Sequence, residues 1–428
     1  MGNSESGSES DIQERVGTPE SEKLTAGAGS EKDTTPVAYG GRDLPGSGLR
    51  ICTRCIFDAS LQDISFDDEG VCNYCRMVEA LAMRYGTGQK AGEQEFARIV
   101  DRIREAGRGK KYDVAVGVSG GTDSSYMLFL AKRFGLRPLA VHYDNTFNSS
   151  IATENIRRVT TALGVDLYTH VCDNKESEDI FRSFFLASVP EIDGPTDIAL
   201  AEVMFRAASK YGIQYVFEGH SFVAEGVAPM GKAYIDGGYI KSVHRRFGRR
   251  RMRTFPNMSF GKFLYWSMVK RIRKIRPLWY LPYSKAEARR FLESNCGWRD
   301  YGGHHLENRM SAFHHSFYTP RKFGLDQRNN TLSAQVRNGL MTREEAFQAY
   351  AEPPFVEDEL VGYVMKRFEM SSAEFWDVMA RPPRFFTDFS TYKHRFERLR
   401  PLFFVLARAH LVPMSFYLKY CFPAKTPS

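Results

Sequence analysis

The stretch Ser119-Gly120-Gly121-Thr122-Asp123-Ser124-Ser125 has the residue types and spacing of an anion cradle. Adjacent glycines let a backbone approach a bound group closely. The free amides of a helix starting there, with its dipole, favour negative charge. Ser119, Ser124 and Ser125 add hydroxyls, and Asp123 reads either as an N-terminal cap or as a ligand to Mg2+. A Walker loop, G-x-x-x-x-G-K-[ST], carries a lysine for terminal phosphates, and the chain contains no such match. The loop is therefore not built to move a terminal phosphate. The plainer alternative is a capped turn that binds nothing.

A second group precedes it. Cys52-x2-Cys55-x16-Cys72-x2-Cys75 has the two-knuckle spacing of a zinc ribbon, and four thiolates leave no open position, so the implied Zn2+ is structural. An iron–sulfur cluster or a redox pair stays open as an alternative. Gly70 sits where a hairpin between the knuckles would turn. The other cysteines, Cys172, Cys296 and Cys421, are scattered, and this usage suits a reducing, cytoplasmic compartment.

These groups need a scaffold. Short apolar runs at 112–119, 137–145, 166–172 and 213–220 alternate with helical patterns at 122–135, 152–164 and 197–212. Residues 173–196 read as irregular. Strands separated by helices imply an α/β fold with a parallel sheet, whose ligands sit at the carboxyl ends of strands. Those ends carry Ser119 to Ser125, then His142, Asp144 and Asn145, then Cys172 to Asn174, then Glu218 and His220. The expected organisation is a disordered tail at 1–48, a ribbon at 49–80, the nucleotide-binding α/β domain at 81–225, a basic and aromatic region at 226–350 and a helical region at 351–428.

The chain has 428 residues, 43% hydrophobic and 26% charged, in the range of globular proteins. No apolar run approaches the roughly 18 residues of a membrane-spanning helix, and no signal peptide is visible. The net charge of +8 points to an anionic partner. Residues 241–276 hold thirteen Lys or Arg and no Asp or Glu. They read as an RNA-binding face or as a basic rim for a nucleotide sugar or another subunit.

"SGGTDSS" resembles the loop of the PP-loop ATP pyrophosphatases, which bind the pyrophosphate of ATP and transfer AMP to an oxygen. With the cysteine knuckles, "AEGVAP" (224–229), "GWRDYGGHHLEN" (297–308) and "KFGLDQRNNTLSAQVRNGLMTREEA" (322–346), the chain resembles the N-acetyl sugar amidotransferases of surface-polysaccharide, lipopolysaccharide and flagellin-sugar pathways. The likeness covers residues 50 to 390 and departs at Val223-Ala224 and Asn308.

The resemblance implies a PP-loop domain, adenylation of an N-acetyl carbonyl oxygen by ATP with Mg2+, and displacement of AMP by ammonia. The substrate would be a nucleotide-linked or lipid-linked N-acetyl sugar. Ser119, Gly120, Gly121, Ser124 and Ser125 would hold pyrophosphate, with Asp123 capping or binding Mg2+. His142, Asp144 and Asn145 would lie near the adenosine, Glu218 and His220 on the substrate side. Glu225, His304, His305 and Glu307 would contact the sugar or its phosphate, with at most one of the adjacent histidines functional.

No glutaminase motif is evident. The family implies a separate glutaminase subunit and a cyclase-like barrel subunit that channels ammonia. The rival reading is a tRNA-modifying thiolase that binds RNA with 241–276 and carries persulfide on Cys172; nucleic acid is otherwise not expected. The apolar, basic C-terminus reads as packed helices, or as a peripheral contact with an anionic membrane.

Overall fold

Strand β1 (Val114–Gly117) alternates its side chains between two cores, as the pleat requires. Val114 and Val116 face one apolar cluster, and Ala115 faces another. β1 pairs in parallel with β2 (Pro138–Asp144) and with β4 (Tyr215–Phe217). β3 (Asp166–Val171) extends the sheet beyond β2, and β5 (Arg273–Ile275) beyond β4. The order is β3-β2-β1-β4-β5, parallel throughout. The chain runs outward from β1 to β3 and returns to β4, so the crevice beyond the carboxyl ends of β1 and β4 is the switch point where such sheets bind ligands. This computed structural model describes residues 48–61, 63–227, 234–302, 306–409, 411–412 and 414–422. The expected tail therefore lies almost wholly outside them.

Helices α1 (Asn73–Tyr85) and α2 (Lys90–Ala106) precede the sheet. α3 (Thr122–Arg133), α4 (Ser150–Leu163), α5 (Asn174–Leu186) and α6 (Gly194–Lys210) are the crossovers. The apolar stripe of α2 (Phe96, Ile99, Val100, Ile103) covers the Val114 face, while α5 and α6 bury Phe181, Phe184, Phe185 and Val203 against the other.

Two expectations are corrected. The stretch expected to be irregular contains α5, which is capped by Asp173. Ile180, Phe181, Phe184 and Phe185 recur at helical spacing and are buried, and its polar residues Glu176 and Asp179 are buried with them. The fifth strand, β5, lies inside the basic segment, where its pairing with β4 rather than any apolar alternation defines it.

The remainder is helical: α7 (Gly237–Phe247), α8 (Phe260–Leu264), α9 (Lys285–Cys296), α10 (Arg309–Ala312), α11 (Thr319–Phe323), α12 (Arg328–Arg337) and α13 (Arg343–Ala351). Then follow α14 (Leu360–Arg367), α15 (Ser372–Ala380), α16 (Lys393–Arg398), α17 (Arg400–Arg408) and α18 (Met414–Tyr420). Single π-helical turns occur at Tyr265–Val269 and Phe313–Tyr318. Lys322 of the "KFGLDQR" segment ends α15 by donating to the carbonyls of Val378 (2.7 Å), Met379 (3.0 Å) and Arg381 (2.7 Å). Among the described residues no helix is long and apolar enough to cross a membrane.

Candidate active site

The glycine loop joins β1 to α3. Gly120 has φ +85°, and a Cβ there would lie 2.3 Å from the Ala152 carbonyl oxygen, so both its conformation and its space demand glycine. Gly121 is the N-cap residue of α3, and no side chain caps that turn. Asp123 is therefore not the cap. Its carboxylate instead accepts from the Tyr283 hydroxyl and pairs with Lys285 Nζ at 3.2 Å. The first-turn amides of α3 thus form an uncapped anion site. Ser119 and Ser124 bond each other at 3.2 Å, with Ser124 Oγ donating to the Gly121 carbonyl and the Gly121 amide donating to Ser119 Oγ. Ser125 is buried in the same turn.

The segment 297–302 leans on this loop. Trp298 Nε1 donates to the Gly120 carbonyl (2.8 Å), and Asn155 clasps Arg299 by its amide and carbonyl, both at 2.8 Å. Tyr301 Oη and Glu307 Oε1 hang over Gly121, 3.2 and 3.7 Å from where its Cβ would be. Burial, and then the Glu307 charge, push the Tyr301 phenol well above its ordinary range. His304 and His305, and residues 228–229 of "AEGVAP", lie outside the described residues.

Glu218 follows β4 and is clasped by Lys274 Nζ (2.6 Å), within β5, and Arg276 Nε (3.0 Å), just after it. Burial opposes its charge, yet the two cations outweigh it and hold the carboxyl at about 2. It is an ionised anchor rather than a proton carrier. Gly219 passes close to Asp123, 3.5 Å from its backbone by a Cβ placed there.

His220 accepts at Nδ1 from Trp279 Nε1 (3.3 Å), so its proton sits on Nε2, 3.8 Å from Glu225 Oε2. Burial first, and the Arg276 charge second, push this imidazole down to about 4. The Arg276 guanidinium also stacks 4.8 Å from the Trp279 ring centroid. Asp123, Glu218, His220 and Glu225 therefore gather around the start of α3.

The residues at the carboxyl end of β2 are differently occupied. His142 donates from Nδ1 to the Val118 carbonyl (2.9 Å) and accepts at Nε2 from Asn148 (3.3 Å), while burial lowers its basicity. Asp144 accepts from the Thr146 amide (2.7 Å) and from Asn148 (3.2 Å). Asn145 binds Thr196, Asn308 and the Phe147 amide. These three side chains brace the rim. Sequence reasoning missed Tyr283, Lys285, Trp298, Tyr301, Lys274 and Arg276, whose separation from the loop along the chain conceals their convergence.

In the ribbon all four cysteines are fully buried. Cys52 and Cys75 sulfurs are 3.9 Å apart, and those of Cys55 and Cys72 3.8 Å. Tetrahedral bonds of about 2.3 Å require a spacing of roughly 3.8 Å, so the donor set fits Zn2+. Backbone amides of Arg54, Phe57, Cys72 and Cys75 point at sulfurs, as suits thiolates. The Asp123 carboxylate oxygens are hard donors of the kind Mg2+ takes, so that fit is also met.

Fold and loop together define an α/β protein with a parallel five-stranded sheet and a glycine loop between its first strand and the following helix, carrying a buried four-cysteine cluster and a helical C-terminal region. Residues 307–401 match the family described as LPS biosynthesis protein WbpG-like, C-terminal domain, where the resemblance to lipopolysaccharide enzymes is met. Over 307 residues the chain is 23% identical to an uncharacterized protein of Methanocaldococcus jannaschii, covering 71% of this chain and 93% of that one. It is 30% identical over 125 residues to tRNA-specific 2-thiouridylase MnmA 1 of Geobacillus kaustophilus, 26% of this chain and 34% of the other. Among solved structures, NMN synthetase from Francisella tularensis aligns at TM-score 0.30 and 13% identity, over 66% of this chain and 95% of that one. The NH3-dependent NAD synthetase from Campylobacter jejuni aligns at 0.29 and 12%, over 68% and 98%.

Proposed function

We propose that the protein is an AMP-forming amidotransferase that converts the N-acetyl group of an activated sugar into an acetamidino group for lipopolysaccharide or related surface glycans. The observation that carries this reading is the uncapped start of α3 behind Gly120 and Gly121, in a chain whose 307–401 segment matches the WbpG-like model. The amides of Gly121 and the first turn of α3 bind the pyrophosphate of ATP, helped by Ser119, Ser124 and Ser125. The amide oxygen of the sugar attacks the α-phosphorus, and pyrophosphate leaves. Ammonia then adds to the imidate carbon, and AMP departs with the former carbonyl oxygen. Asp123 would hold Mg2+, which would offset charge on the departing pyrophosphate. Lys285 adds positive charge beside the loop. Glu225 and Glu307, with one of His304 and His305 from the motif of Glu307, contact the sugar. Ammonia comes from a separate glutaminase through a cyclase-like barrel subunit, and the protein works in the cytoplasm.

The purified protein is incubated with ATP, Mg2+, ammonium and a panel of nucleotide-linked N-acetyl sugars. AMP, pyrophosphate and a product lighter by the difference between O and NH support the proposal; ADP with phosphate overturns it.

The thiolase reading has the stretch similar to the thiouridylase in its favour. It needs Cys172 as a sulfur carrier. Burial pushes that thiol up to about 11, and the residue is 2% exposed, against Thr254. A reactive cysteine needs the opposite on both counts. Cys172→Ala is expected to leave the ammonia-dependent turnover unchanged, and its loss would restore the thiolase.

A further inference from the structure

The loop between α5 and α6 is pinned to the π-helical turn at Phe313–Tyr318. The Val189 carbonyl accepts from the Tyr318 hydroxyl (3.0 Å), and the Pro190 carbonyl accepts from His314 Nε2 (2.9 Å). The Ser188 carbonyl is held by the Arg384 amide at 2.8 Å. This fixes Asp193, the residue preceding α6, opposite two neighbouring imidazoles. Successive side chains of an α-helix diverge, but the rings of His314 and His315 stay together in this turn, their centroids 4.5 Å apart. One nitrogen from each and one Asp193 oxygen all lie within 4.8 Å of one another. The three residues are half-buried.

The outer hydrogen bonds orient this group. A carbonyl only accepts, so His314 Nε2 bears a hydrogen, and the neutral ring in that tautomer offers Nδ1 as its ligand nitrogen. Asp193 Oδ1 accepts from the Thr196 hydroxyl (2.8 Å), and Oδ2 from that of Ser311 (2.5 Å). Carbonyls behind imidazoles and hydroxyls behind carboxylates are the outer hydrogen bonds that orient metal ligands. Tetrahedral bonds of about 2.1 Å to one ion set donors roughly 3.4 Å apart, so from the outer limit of 4.8 Å the side chains must close by about 1.4 Å. π-turns inside helices are frequent at functional sites.

We propose that Asp193, His314 and His315 form a second metal site, separate from the four cysteines, for one divalent first-row transition ion. Two imidazoles and one carboxylate suit Zn2+ and leave a coordination position for an oxygen ligand. The site communicates with the sheet through Thr196, which accepts from Asn145 Nδ2 at 3.2 Å. This inference does not depend on the sugar reading above.

The test uses the full chain and metal alone. Protein dialysed against Zn2+ and freed of loose ions is expected to hold one equivalent per chain beyond that of the cysteine cluster. Co2+ loading then separates the two sites: cysteine-bound cobalt gives intense thiolate charge-transfer bands, and the imidazole–carboxylate site adds only weak ligand-field bands. His314→Gln keeps an amide donor for Pro190 while removing the ligand nitrogen, and His315→Ala removes the other. Both are expected to lose one equivalent, the weak bands and the rise in Tm on adding Zn2+, with the thiolate bands intact. A common Tm in chelator for His314→Gln and wild type shows that the fold is kept. Wild type holding only the cysteine-bound equivalent, or variants holding as much metal as wild type, would overturn the proposal.

Discussion

Gly120 is the residue on which the loop turns. Its left-handed backbone and the 2.3 Å approach of its absent Cβ to Ala152 act together. Gly120→Ala should cost about 1–3 kcal/mol of stability, and the backbone shift that relieves the clash should move the Gly121 amide. Thermal unfolding and ATP titration check both; a variant with normal stability and affinity contradicts the close packing. His220 makes a prediction in pH. Its imidazole ordinarily titrates near 6.5 and is held at about 4 in the fold. The neutral ring's contribution is complete above 6.5. As pH falls from 6.5 towards 4 the unfolded chain takes up a proton that the folded one refuses, so stability declines. Urea unfolding at pH 7 and pH 5 should show a smaller decline for His220→Asn than for wild type, and equal declines would contradict the assignment.

The elements show how the ribbon reaches the site. Arg343 of α13 donates to the Cys52 (2.8 Å) and Cys55 (3.3 Å) carbonyls, and the Arg337 guanidinium of α12 stacks 5.6 Å from the centroid of Phe57. From the same helix, Asn330 donates to the Glu225 carbonyl (2.8 Å), and Asn338, just past its end, donates to that of Val223. α12 therefore bridges the cysteine cluster and the loop that carries Glu225. Stripping the cluster of metal should raise hydrogen exchange in residues 221–227 as well as in the ribbon, and exchange confined to the ribbon would break this link. Arg343→Ala should cost about 1–2 kcal/mol, since charged hydrogen bonds are lost at a half-exposed position.

The same elements mark what was legible in the sequence. β1 to β4, α3, α4 and α6 follow from apolar runs alternating with helical periods, and the cysteine knuckles from spacing alone. α5 is legible in the helical spacing of Ile180, Phe181, Phe184 and Phe185, although residues 173–196 read as irregular. What the sequence does not report is that its polar face is buried too, with Glu176 accepting from the backbone amides of Arg253, Thr254 and Phe255. β5 was hidden because its three residues gain meaning only beside β4. The Asp123–Tyr283–Lys285 contact and the Trp298 contact join residues far apart in sequence, where no local pattern reports them.

At the scale of the whole molecule the excess of positive charge divides into two kinds. Lys262 pairs with Glu202 (2.9 Å), while Lys274 and Arg276 pair with Glu218; these cations belong to the interior balance of the fold. Arg245, Arg246, Arg249, Arg250, Arg251 and Arg253 are exposed. The fold holds this run by its backbone: Asp179 Oδ2 accepts from the amides of Arg249 and Arg250, both at 2.8 Å, and Glu176 from those that follow. The guanidinium groups are left to solvent and to whatever anion approaches. Replacing Arg249, Arg250 and Arg251 together by Gln should therefore change stability by no more than ~0.5 kcal/mol, because every amide contact survives. Retention on heparin, a generic polyanion, should fall to lower salt, since each lost cation releases fewer counterions. Retention unchanged with stability unchanged would show that the run is not an anion-facing surface. A large loss of stability would show that the side chains, and not the backbone, hold this segment on α5.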